Sequence, residues 1–303
     1  MIKYITFVLA TALVYANYSA NDLCEGIVPE NDMYIPVFDG KSETQTGITE
    51  AQFNEVIDKV SAHYGPIIED MGGTLDVARL WDNGTVNASA QRLGSTWRVN
   101  MYGGLARHET MTEDGFMMVI CHELGHHLGG APKYGPWNGW ASNEGQADYF
   151  AGLKCMKRVL EKEDNVAYVE NLSDVNPYSV EKCQEQYADD NEAAICIRAA
   201  TGGLHLAKLF QALRGQTTAP DFQTPDPSEV SRTDDRHPDT QCRLDTYFQG
   251  TLCNIDFQKD VSQSDADVNT CTRVEKYAIG LRPLCWYKPA SSVSVLSTLK
   301  AAL

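Results

Sequence analysis

The chain has 303 residues, 43% hydrophobic and 22% charged, which excludes collagen, a coiled coil and a wholly disordered polypeptide and leaves room for one large or two smaller globular domains. Twenty-five Lys and Arg against 41 Asp and Glu give a formal charge of -16, so nucleic acid and anionic membrane surfaces are poor partners. Nine cysteines acquire a meaning only once the redox compartment is read.

Residues 1–20, MIKYITFVLATALVYANYSA, read as a secretory signal peptide: Lys3 precedes an apolar run from Ile5 to Ala16, and small residues follow. The run is shorter than the roughly 20 residues a bilayer requires. Cleavage is expected after Ala16 or Ala20, giving a secreted or periplasmic protein with no transmembrane segment in the mature chain. Asn21-Asp22-Leu23 before Cys24 do not form a lipoprotein box. In that oxidising space the cysteines are disulfide candidates.

From Thr49 the apolar positions Phe53, Val56, Ile57 and Val60 follow the spacing of one buried helical face. Thr49 and Gln52 form a capping-box pattern, and Gly65-Pro66 is expected to end or kink the helix. Strands are expected over Leu75 to Trp81, Thr85 to Arg92 and Thr96 to Tyr102, with a turn at Asn83-Gly84. Taken in order they suggest a small antiparallel meander with an open edge. Thr112, followed by Glu113 and Asp114, starts a helix whose buried row is Met117, Cys121, Leu124 and Leu128, and Gly129-Gly130 stops it. Ser142 or Asn143 caps a further helix running to about Leu160. Residues 192–214 read as helical with a weak point at Gly202-Gly203, and the proline-spaced residues 215–240 as a long exposed loop. The expected organisation is a core over 21–214 and a loop plus cysteine-rich extension over 215–303.

The chemistry concentrates in two of these helices. His122-Glu123-Leu124-Gly125-His126 is an HExxH pattern, and residues four apart stack two imidazoles on one helical face, where both can reach one Zn2+ ion. Glu123 between them is placed to act as general base toward water on that ion. A catalytic zinc takes three protein ligands, and Asn143-Glu144-Gly145-Gln146-Ala147-Asp148 supplies Glu144 as the third. Asp148, one turn on, can hold a histidine N–H behind it. His127 cannot share the spacing and is read as structural, as are His63, His108 and His205.

HELGH followed by NEGQAD resembles the gluzincin clan of zinc metallopeptidases. Within it the chain looks most like the family of CAAX prenyl proteases, heat-shock protease X and outer-membrane-assembly peptidases. Asn87-Ala88-Ser89-Ala90, Gly103-Gly104-Leu105, and His237-Pro238 with Arg243 look like further segments of that family. The resemblance implies zinc on His122, His126 and Glu144, Glu123 as base, and a peptide bound as an added strand on the sheet edge. It suggests that His237 either stabilises the developing oxyanion or plugs the open zinc position.

Cys121, in the catalytic helix, is expected to stay a free core thiol. The other eight cysteines are expected to form bridges, with short loops favouring Cys183 with Cys196, Cys242 with Cys253, and Cys271 with Cys285. The fold expected is α+β: a small antiparallel sheet on a zincin helix pair, with a mainly helical, disulfide-braced C-terminal part. The function expected is that of a zinc-dependent endopeptidase. The alternatives are a zinc hydrolase of non-protein amides such as cell-wall peptides, and a non-catalytic zinc-stabilised binding protein.

Overall fold

The computed structural model describes residues 24, 26–37, 46–135 and 139–290. The signal-peptide reading of residues 1–20 lies outside the described residues. Helix α1 (Glu50–Asp70) opens on the Thr49 and Gln52 capping box and buries Phe53, Val56, Ile57, Val60, Tyr64 and Ile68. It does not stop at Pro66. The ring faces solvent, as does Ala62 one turn earlier, whose carbonyl loses its helical donor, while Tyr64 and Ile68 hold the last turn on the core.

The sheet is mixed, which corrects the antiparallel meander. Strands β1 (Thr74–Leu80), β2 (Ala88–Leu93) and β3 (Thr96–Tyr102) lie in the order β1-β3-β2. β1 pairs with β3 in parallel, and β2 and β3 form an antiparallel hairpin around Gly94-Ser95. The Asn83-Gly84 turn therefore closes no hairpin. Residues 81–87 instead cross the end of β3, and their backbone is satisfied by the amino-terminal segment, through Ile35 N–H to Gly84 O (2.7 Å) and Val86 N–H to Met33 O (3.3 Å). The alternation read from sequence holds on the buried face: Val86, Ala88, Ala90, Trp97, Val99 and Met101 point into the core.

A short helix α2 (Gly103–Ala106) leads to α3 (Glu113–Leu128), capped by the Thr112 hydroxyl and closed at Gly129. α3 is buried on all faces, beyond its predicted row. Helix α4 (Glu144–Phe150) continues through a π turn (Ala151–Cys155) into α5 (Met156–Leu160), so one helical rod reaches the expected end. Helices α6 (Asn165–Glu170) and α7 (Pro177–Gln186) precede α8 (Asp190–Leu213), which runs unbroken through Gly202-Gly203, and α9 (Thr240–Leu252) follows the long loop. Buried Arg198 on α8 grips Asp114 in the first turn of α3 at 2.7 and 3.1 Å, fixing the helix that carries the histidines. One hydrophobic cluster joins side chains from α1, the sheet, α3, the α4–α5 rod, α8 and α9.

Four disulfides indicate an oxidising compartment. Cys183–Cys196 is the pair expected, but Cys121 is bridged to Cys155 rather than free, and Cys24 is the cysteine outside the four bridges. The structure also pairs Cys242 with Cys285 and Cys253 with Cys271. α9 explains the exchange. A helix rising about 1.5 Å per residue separates Cys242 from Cys253 by about 16 Å, far beyond disulfide reach. The Cys121–Cys155 bridge, 34 residues apart in sequence, ties α3 to the α4–α5 rod; a loop of that size stabilises by about 4 kcal/mol on the chain-entropy account. Among the described residues α8 alone is long and apolar enough to cross a membrane, and it is buried inside the protein.

Lys157 on α5 is buried, and donates to the Tyr187 hydroxyl (2.8 Å) and the Cys253 carbonyl (2.7 Å). Burial, with Lys154 beside it, pushes its pKa down to about 7. Between pH 7 and the ordinary lysine value the unfolded chain holds a proton that the folded chain lacks, so this residue makes stability rise with pH across that window. Urea unfolding at pH 7.5 and 9.5 is expected to show Lys157→Met losing a slope of about 1 kcal/mol per pH unit relative to wild type. Equal slopes would contradict the assignment.

Candidate metal centre

α3 and α4 meet where Gly125 lies against Ala147; a Cβ on Gly125 would sit 2.8 Å from the Ala147 Cα, so only glycine allows this approach. The Asn143 side chain caps α4 by accepting the Gln146 N–H (3.0 Å), which starts the helix with Glu144 in its first turn, facing the two histidines. The imidazoles of His122 and His126 stand 4.8 Å apart, nearly perpendicular. Their Nε2 atoms lie 3.3 and 3.7 Å from the two oxygens of Glu144. His122, His126 and Glu144 thus form a buried group whose ligand atoms all lie within 4.8 Å of one another and can hold a metal ion.

Hydrogen bonding shows which atoms are left for a metal. The Nδ1 of His122 meets Asp148 Oδ1 (2.7 Å), and that of His126 meets the Ser142 carbonyl (2.9 Å). Among the described residues, both Nε2 atoms, Glu144 Oε2 and both oxygens of Glu123 are buried with no hydrogen-bond partner. Buried polar atoms without hydrogen-bond partners are strongly destabilising in a dry interior unless something fills the space between them. Tetrahedral ligands at about 2.0–2.1 Å from zinc stand about 3.3 Å apart, close to the spacings found here.

Behind the ligands, Asp148 also receives two bonds from buried Arg243 on α9, both 2.8 Å, and one from the Tyr247 hydroxyl. Burial opposes its charge, but the guanidinium and His122 hold its carboxyl below the usual range. Burial likewise opposes ionisation of His122, yet Asp148 and Glu144 outweigh it and raise its pKa to about 9. His126, with no such carboxylate behind it, is pushed down by burial to about 4. Glu144 is held well below the carboxylate range because His237 and the two ligand imidazoles outweigh burial. Burial raises the Glu123 carboxyl to about 8.

His237 is brought to the same place from the long loop: its Nε2 lies 3.2 Å from Glu144 Oε2 and donates to the Gly26 carbonyl at 2.7 Å. His127 points away, held by Arg92 (2.9 Å) and the Arg98 carbonyl (3.1 Å) between Trp97 and Trp140. His205 bonds Thr112 and Asp174, and His108 bonds Thr110, so neither joins the centre. Three contributors escaped the sequence reading. Tyr134 donates to Glu144 Oε1 (2.6 Å) from an aperiodic loop. Tyr247 lies one turn after Arg243, and that spacing is the signal that could have found it. The third is the segment around Gly26, which has no pattern of its own. Asp226, Cys242 and Cys285 also cluster, but the two sulfurs are joined in a disulfide and offer no thiolate.

No family model, curated protein or solved structure matches this chain.

Proposed function

We propose that the protein is a zinc-dependent endopeptidase of the gluzincin type, exported to an oxidising space. One observation carries this reading: a buried His122, His126 and Glu144 set with Glu123 beside it, each offering a polar atom without a hydrogen-bond partner among the described residues. A structural zinc site is closed by four protein ligands and needs no adjacent carboxylate; three ligands and a base suit hydrolysis.

Zinc in such a site supplies an acidified water and polarises a carbonyl. The chain's own residues do the rest. Glu123 takes the proton from the attacking water and passes it to the departing amine, so one C–N bond breaks, one C–O bond forms, and the carboxylate is regenerated. His237, on the face where its Nε2 already donates to a backbone carbonyl, donates to the carbonyl oxygen as negative charge builds there. Asp148 and Arg243 keep His122 in the orientation that leaves its Nε2 for the metal. The substrate is read as an extended peptide added to the β2 edge, with nucleic acid excluded by the acidic charge.

The test is metal content together with digestion of a reduced, carboxymethylated protein. One zinc per chain is expected, with cleavage abolished by 1,10-phenanthroline and restored by added zinc. Absence of chelator-sensitive cleavage would end the endopeptidase reading.

A further inference from the structure

The outer edge of β2, expected to be open, is covered by the chain itself. Cys24 and Ile27 lie along it in the opposite direction: Cys24 N–H donates to Ala90 O and Ile27 N–H to Ala88 O, both at 3.0 Å. The Asn87 side chain extends this ladder, its Oδ1 accepting from Val28 N–H (3.4 Å) and its Nδ2 donating to Val28 O (3.2 Å). This is the arrangement by which a peptide is recognised as an added strand, main chain to main chain.

Two consecutive carbonyls of the segment are then gripped by the centre. Gly26 O accepts from His237 Nε2 at 2.7 Å, the nitrogen that also lies 3.2 Å from the ligand Glu144. Ile27 O accepts from Arg243 Nη1 at 2.5 Å, on the guanidinium that holds Asp148. The fit is close enough to demand glycine: a Cβ on Gly26 would lie 2.3 Å from Asn87 Oδ1 and 2.4 Å from the Ala88 carbonyl oxygen. Both carbonyls take their donors from the histidine and the arginine beside the candidate ligands, as the carbonyls of a peptide substrate lying there would.

The geometry points to the segment of Cys24, Gly26, Ile27 and Val28 as an intramolecular pseudosubstrate, which fills the peptide groove of the centre, holds the Gly26–Ile27 bond where a substrate bond would lie, and keeps the folded enzyme self-inhibited until it is displaced. This inference rests on the metallopeptidase reading for its inhibitory sense, but not for the occupancy of the groove. An occupied groove lowers apparent affinity for any other peptide by the fraction of molecules in which it is vacant.

The test has three measurements. In hydrogen exchange on the wild-type full chain, the Cys24 and Ile27 amides are expected to exchange through a local opening about a hundredfold faster than the Val99 amide in β3. Equal rates, with all three exchanging only on global unfolding, would make the segment a fixed strand and overturn the proposal, and this measurement needs no variant to fold. In the second, a labelled peptide with the sequence of residues 22–30, serine replacing its cysteine, is titrated onto Glu123→Gln and onto Glu123→Gln/Gly26→Val. The added side chain should expel the segment and tighten peptide binding by about tenfold or more. Unchanged binding to a folded double variant would overturn the proposal. In the third, Gly26→Val alone should digest unfolded protein about tenfold faster than wild type. If wild type digests in a chelator-sensitive way and Gly26→Val gains neither rate nor peptide affinity, self-inhibition falls while the peptidase reading stands. If neither protein digests but exchange and peptide binding behave as expected, the peptidase reading falls and the segment stands as the occupant of a peptide groove.

Discussion

Glu123→Gln is expected to purify with the zinc content of the wild type and to hydrolyse unfolded protein about a thousandfold more slowly. The amide has nearly the shape of the carboxyl, and Glu123 is not among the grouped ligands, so the metal set is left intact. What is lost is a proton acceptor whose two oxygens are buried without a hydrogen-bond partner among the described residues. Glutamine carries no charge to desolvate in this buried place, so the variant should unfold no earlier than wild type. Zinc analysis and initial rates on one preparation check the expectation. Loss of zinc along with activity would place Glu123 in the ligand set, and full activity without it would remove it from the chemistry.

Arg243→Leu should have the larger structural effect. The guanidinium is fully buried, makes two bonds to Asp148, and stacks 3.9 Å from the centre of the Phe210 ring. Its removal leaves a buried carboxylate with only His122 and Tyr247, and breaking a buried pair from one side is destabilising by about 3–5 kcal/mol. Because Asp148 fixes the His122 ring, zinc affinity should fall by about 10- to 100-fold as well. Urea unfolding and competition with a zinc chelator measure the two effects separately. Arg243→Lys keeps the charge but not the fork, so it should recover part of the stability and less of the zinc affinity. A zinc affinity unchanged in Arg243→Leu would mean that Asp148 does not need its partner to orient His122.

The contrast between what could and could not be read from sequence follows the range of the interactions. His122 and His126 are four residues apart on a helix whose caps, Thr112 and Gly129, are also local, so their convergence is set within one element. Glu144 and Asp148 are again one turn apart behind the Asn143 cap, so a third ligand and a carboxylate behind a histidine could be read from that spacing. The sheet order is set by a different kind of contact: nothing in Leu75–Trp81 says that β3 rather than β2 lies beside it, because strand pairing is chosen by packing on α1 and α3. The disulfides failed for the same reason in another guise. Short sequence loops misled for Cys242 and Cys253 because α9 between them was not read, and a helix keeps its ends apart. Pro66 misled because a penalty of local conformation was outweighed by the burial of Tyr64 and Ile68. Gly26 was the least legible residue of all, since its role lies in how close it comes to Asn87, some sixty positions later in the chain.

The Cys121–Cys155 bridge bears on how a metal ion would be taken up between His122, His126 and Glu144. The histidines and Glu144 belong to two helical rods joined by a long loop, and a metal joining them must otherwise restrict their relative motion at the moment it binds. With α3 and the α4–α5 rod already fastened through Cys121 and Cys155, much of that restriction is in place before any ion arrives. The sulfur beside His122 is thereby withdrawn from competition for the ion, leaving a donor set of two imidazoles and a carboxylate. Oxidation and metal capture become successive fastenings of the same joint, and the centre is best prepared for its ion in the compartment where the bridge can form.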